Sequence, residues 1–375
     1  MGKVIEHTFS GMEGAKRQIE WVNIAKGLTM LMVVVGHISY ALPNWELLPL
    51  PILLTSWHIY VFFLIGGFFL REERLQQPLG FIRGKFMRLY LPLMLFYIPA
   101  VLLHNVFLDI GFYDTVTDYG GKLMYYYSWG DLVKKLLLTI GLAGREPILG
   151  AMWFVYVLFM ALCLLSIISW ALKRLIKDAK TYEWVRMIVL MTLATVAFAV
   201  TYLYDIEIPR GNITLKAIWL IFCGYALRNR FHVEFNNGWI ALACLLILIN
   251  TTQFLNAQSM WTSGVRLIVY FTGITIAALY AICYLSRKME GRWLGRMIAI
   301  CGRESFYIMA FQFLGFKIGT LLLSLFGIER SLSQLTAPAE GSLLLFVYYV
   351  IMGFVLPAAI VHIVRKAKRR LLVGD

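Results

Sequence analysis

Apolar residues in this chain gather into runs of about twenty, separated by shorter polar and basic stretches. A helix rises about 1.5 Å per residue, so such runs match the roughly 30 Å of hydrocarbon in a bilayer. They fall at 24–42, 53–70, 89–108, 151–172, 187–204, 213–227, 239–255, 267–285, 305–326 and 343–364, the sixth being the shortest. The pattern predicts an all-α, polytopic membrane helical bundle of about ten transmembrane helices. The longest connection, Asp109 to Gly150, holds three consecutive tyrosines, Trp129 and an amphipathic piece, 131–141. That piece is too short to span and is predicted to lie at the interface or to re-enter. The expected division is a polar cytoplasmic N-terminal segment (1–20), a transmembrane domain (21–370) and a cytoplasmic tail (371–375). No internal repeat is visible.

Composition agrees. Of 375 residues 60% are hydrophobic and 15% charged, and the mean hydropathy is +0.72. A soluble chain carries about a quarter charged residues. The net charge of +14 does not point to nucleic acid, because the basic residues are spread between apolar runs. They cluster at every second connection, as in 71–88, 173–186, 287–303 and 365–370. By the positive-inside rule both termini are expected in the cytoplasm. The first twenty residues lack an apolar core followed by a small-residue site, so no cleavable signal is expected. The five cysteines sit in or beside apolar runs without ligand spacing. Neither a disulfide framework nor a metal site is expected.

Within the first run stand Lys26 and, eleven residues on, His37. On a helix that is about 16 Å of rise and nearly the same face. Ionisable groups inside hydrocarbon are costly and mark sites or paths. His58 lies a few residues into the next run, and the short connection Pro43–Ile52 makes the two helices neighbours. Two imidazoles at one depth suit acid–base work better than metal binding, since no membrane carboxylate accompanies them. His104 is expected at the interface, Glu146 either solvated or orienting a histidine, and Lys317 snorkelling outward.

Five segments, taken in order, resemble the acyltransferase-3 family of integral membrane O-acyltransferases. They are Trp21-Val-Asn-Ile-Ala-Lys26 with His37, the stretch 56–69 around His58 and Gly66-Gly67, 83–92, Met152-Trp153-Phe154, and Gly302-Arg-Glu-Ser305-Phe-Tyr307. Within that family the chain is similar to fucose 4-O-acetylase-like sugar acetyltransferases. The likeness runs from about Trp21 to Arg370. It implies transfer of an acyl group, usually acetyl, from cytosolic acyl-CoA to a hydroxyl of a cell-surface or lipid-linked glycan. No permanently bound cofactor is expected, acetyl-CoA entering as donor substrate. The expected partners are acyl-CoA, the glycan acceptor and membrane lipids, without nucleic acid, at a bacterial plasma membrane. His37 and His58 are then the catalytic candidates. Lys26, Arg83, Lys85 and Arg88 are candidates for the donor's phosphates. Asn23, Glu146, Trp153, Tyr307 and Gln312 are acceptor-side or supporting candidates. Asn23 stands where many members have Asp, and Gln312 where many have His. A transporter or flippase for a lipid-linked sugar, or a scaffold whose histidines only pack, are the competing readings. The missing repeat weakens the transporter.

Overall fold

The computed structural model describes residues 2–38, 57–117, 123–204, 210–254, 268–328, 331–334 and 342–373. The expected connection Pro43–Ile52 lies outside the described residues. Every regular element among them is helical. In chain order these are α1 (Gly2–Ile38), α2 (His58–Phe68), α3 (Glu72–Leu75), α4 (Pro78–Lys85), α5 (Leu91–Leu102), α6 (His104–Asp109), α7 (Trp129–Ile140) and α8 (Trp153–Leu175). Then follow α9 (Ala179–Tyr204), α10 (Gly211–Asn229), α11 (Gly238–Phe254), α12 (Ile268–Met289), α13 (Trp293–Arg303), α14 (Ser305–Leu325), α15 (Leu343–Val350) and α16 (Leu356–Val373).

Seven helical stretches among the described residues are long and apolar enough to cross a membrane: 20–38, 78–102, 147–175, 179–201, 268–289, 305–325 and 343–367. Two of the remaining expected runs appear as shorter apolar helices, His58–Phe68 and Gly238–Asn250. The other is α10, which carries Lys216 in its second turn.

Two spans contain a π-helical turn, Phe86–Tyr90 and Ile351–Val355. Each stands just before a proline, Pro92 or Pro357. Proline has no N–H for the carbonyl four residues back, and a widened turn lets the helix continue.

Small residues set the closest helix crossings. A Cβ on Gly302 would meet the Asn23 carbonyl oxygen at 1.8 Å, and one on Gly27 the Ile298 oxygen at 2.3 Å, so α13 lies directly on α1. A Cβ on Gly67 would meet the Ile221 oxygen at 1.8 Å, and one on Gly224 the Leu64 oxygen at 2.0 Å, joining α2 to α10. Close backbone approach replaces the hydrophobic drive that lipid removes.

The long connection folds into the bundle. Helix α7 starts with a capping box, Ser128 and Asp131, and packs beside α5. Its last carbonyl, Ile140 O, accepts from the Tyr90 hydroxyl at 2.9 Å. Tyr90 lies twelve residues before the end of α5, about 18 Å along the axis. This piece therefore packs along the side of α5. Beyond it Arg210, at φ +60°, donates to the carbonyls of Leu142, at 3.1 Å, and Gly144. Its guanidinium lies 4.2 Å from the Tyr156 ring centre.

Candidate active site

A cavity of about 490 Å³ opens among α1, α2, α8, α14 and the first π turn. That size falls within the roughly 300–1,000 Å³ of small-molecule sites. Its walls are mostly apolar: Phe62 and Ile65 from α2 with Phe69 just after it, Phe154 and Leu158 from α8, Phe306 and Met309 from α14, and Leu89 from the π turn. The polar lining groups are Asn23, Lys26 and Ser305. Among the described residues Lys26 has no ion-pair partner. A half-buried cation kept without a carboxylate is costly unless an anion visits it.

Local structure explains how the motifs build this space. Gly302 brings α13 against the Asn23 backbone, so Asn23 and Ser305 share one wall. Of the glycine pair in α2, Gly67 makes the crossing with α10, while Gly66 lines the cavity. Trp153 stands edge-on to Phe154, 6.5 Å between ring centres.

His37 is eleven residues further along α1, about 16 Å from Lys26. Its ring meets Phe313 edge-to-face at 4.9 Å, and it is half-buried. Beside Phe313, Gln312 is fully buried with neither amide atom hydrogen-bonded. Ser305, Met309 and Gln312 follow at spacings of four and three, so Gln312 continues the cavity-lining stripe of α14 toward His37. His58 is half-buried at the start of α2, one turn before the lining residue Phe62.

Other candidates stand apart. Arg83 and Arg88 are exposed and Lys85 lies 5.0 Å over the Phe81 ring; none lines the cavity. Tyr307 packs on Phe96 and under Arg365, which pairs with Glu304 at 2.8 Å.

Three expectations need correction. His104 is not interfacial and Glu146 is not solvated: both are fully buried and meet at 2.8 Å. The other ring nitrogen of His104 faces the Tyr125 carbonyl at 3.1 Å. Both ring nitrogens thus face oxygen atoms of the protein. Tyr127 stacks on the ring at 3.6 Å. Glu146 does orient a histidine, but that histidine is His104, forty-two residues back, and no local spacing signals the pairing. Lys317 reaches toward the long connection without reaching water. Its ammonium is caged by the carbonyls of Phe112, Leu332 and Gln334, at 2.5, 2.6 and 3.3 Å. It ties α14 to that connection.

Nearby, Asp114 accepts from the backbone of Val116 and Thr117 and from the Thr117 hydroxyl. Burial opposes its charge, but these bonds and one from Ser333 outweigh it and lower its pKa to about 2.

The fold and cavity define a multi-pass membrane protein with a cavity of small-molecule size among its helices. The family model for the acyltransferase domain of the acyltransferase-3 family matches residues 19–362. The chain belongs to that family and is a membrane acyltransferase. No curated protein and no solved structure is significantly similar.

Proposed function

We propose that this acyltransferase moves an acetyl or similarly short acyl group from cytosolic acyl-CoA to a hydroxyl of a cell-surface or lipid-linked glycan. In this reading ten helices span a bacterial plasma membrane, with both termini and the basic end of the bundle in the cytoplasm. The observation that carries it is Lys26, a cation without an ion-pair partner among the described residues, in the wall of a largely apolar cavity and on the same helix as His37. The donor's phosphates meet Lys26, its arm runs through the cavity, and its thioester comes to His37. The His37 imidazole takes the proton of the sugar hydroxyl. The oxygen attacks the acyl carbon, the carbon–sulfur bond breaks, and the departing thiolate takes the proton from the imidazolium. Gln312, with unfilled amide donors next to Phe313, is placed to hold the acyl oxygen. Asn23, His58 and Trp153 support donor and acceptor around this path.

The test is turnover of labelled acetyl-CoA by the purified protein, with and without glycan acceptor. Slow hydrolysis alone and faster transfer with acceptor are expected. His37→Ala should lower both by about 10²–10⁴-fold. Donor turnover that persists in His37→Ala would remove His37 from the chemistry. Absent turnover together with glycolipid movement would establish the transporter instead.

A further inference from the structure

We propose that Arg228 and Arg287 form the rim that holds the outermost phosphates of the donor. The proposal rests on the acyl-CoA reading above. Arg228 lies in the last turn of α10, and its guanidinium covers the rings of Phe68 and Phe69 at 5.7 and 5.4 Å. One of its nitrogens donates to the Phe68 carbonyl at 3.3 Å. Arg287, in the last turn of α12, lies 5.3 Å from the Trp21 ring centre. Trp21 in turn packs on Phe68 and Phe69 at 6.4 and 6.3 Å. The two guanidinium groups therefore lean on one aromatic patch. Phe69 belongs to that patch and to the cavity wall that holds Lys26.

Neither arginine has an ion-pair partner among the described residues. The Nε of Arg287 is buried and without a hydrogen bond. The nearby Glu20 carboxylate accepts from the Gly291 N–H at 3.3 Å. Guanidinium donors form a planar fork that matches phosphate oxygens two at a time. Two such forks on an aromatic rim, with a third cation deeper in the wall, suit a ligand with several phosphates at one end and a neutral arm at the other. Lys26 then meets the phosphate nearest the arm, and the rim holds those further out. Arg83 and Arg88 are exposed and, among the described residues, cover no ring of the cavity wall, whereas Arg228 covers Phe69 of that wall. The competing occupant of the same chemistry is an anionic lipid headgroup.

A donor with and without its nucleotide separates the two. Arg228→Gln, Arg287→Gln and the double variant of the full chain would be assayed with acetyl-CoA and with S-acetylpantetheine, which carries the same thioester arm. We expect the KM for acetyl-CoA to rise roughly tenfold to a hundredfold, as for loss of charge-assisted hydrogen bonds, with kcat held. Kinetics with S-acetylpantetheine should be unchanged, which also shows that the variants fold. An equal loss with both donors, no loss with either, or a loss that follows anionic lipid content would overturn the proposal. No turnover of either donor by the unsubstituted protein would instead overturn the acyl-CoA reading, and this rim with it.

Discussion

Lys26 and His37 occupy one helix, yet their surroundings differ. Lys26 borders open space, while His37 rests on Phe313 and is half-buried. If His37 and His58 act as one unit, the double alanine variant should transfer acetyl no more slowly than the worse single variant, because such effects do not add. Multiplicative losses in acetyl transfer, at equal membrane protein levels, would show that the two act independently. A second residue with a readable consequence is Asp114. Its folded pKa, about 2, lies below the ordinary 3.8. The stabilisation it gives is therefore complete above about pH 4 and is lost as pH falls through 2. Hydrogen exchange at the Val116 and Thr117 amides should follow that curve, with protection falling between pH 4 and 2. In Asp114→Asn, whose amide oxygen still accepts but does not titrate, protection should lose this dependence on pH. Exchange independent of pH in the parent protein would refute the assignment.

At the scale of elements, glycines that permit close crossings also shape the cavity. Gly302→Ala must push α13 away from the Asn23 carbonyl, at a cost of about 1–3 kcal/mol for such overpacking. Because Asn23 lines the cavity, donor KM should rise along with the loss of thermal stability. Gly80 and Gly84 are the controls: a Cβ at either meets nothing within 4 Å. Their alanine variants should match or slightly exceed the parent in melting temperature, since alanine favours helix. A Gly302→Ala protein as stable and active as these controls would show that the crossing yields easily. The π turn before Pro92 has a comparable role, since Leu89 within it lines the cavity.

For the whole molecule, the expected orientation makes a direct prediction. Single cysteines introduced at Thr115 and at Lys366 should label oppositely in intact cells. Thr115→Cys should react with an impermeant thiol reagent from outside, and Lys366→Cys only after permeabilisation. External labelling at 366 would invert the donor path from Lys26 to His37. The buried Arg210 and Lys317 fasten the long connection to the bundle. Their donors meet main-chain carbonyls, and unsatisfied carbonyls at membrane depth are not tolerated.

The all-helical class and most of the spans were readable in the chain, because hydrocarbon thickness imposes length and composition on every crossing segment. The family was readable too, through residues held at fixed spacing within short segments, Lys26 with His37 on one helix and Gly302 with Ser305 across a helix junction. Contacts between distant segments were not. The pairing of His104 with Glu146, the carbonyl cage of Lys317 and the aromatic patch shared by Arg228 and Arg287 each depend on which helices cross and at what height. Hydrophobic periodicity assigns a residue to a face but does not choose the neighbour on that face. In this protein glycine crossings such as Gly67 on Ile221 and Gly302 on Asn23 make that choice, and only the assembled bundle shows it.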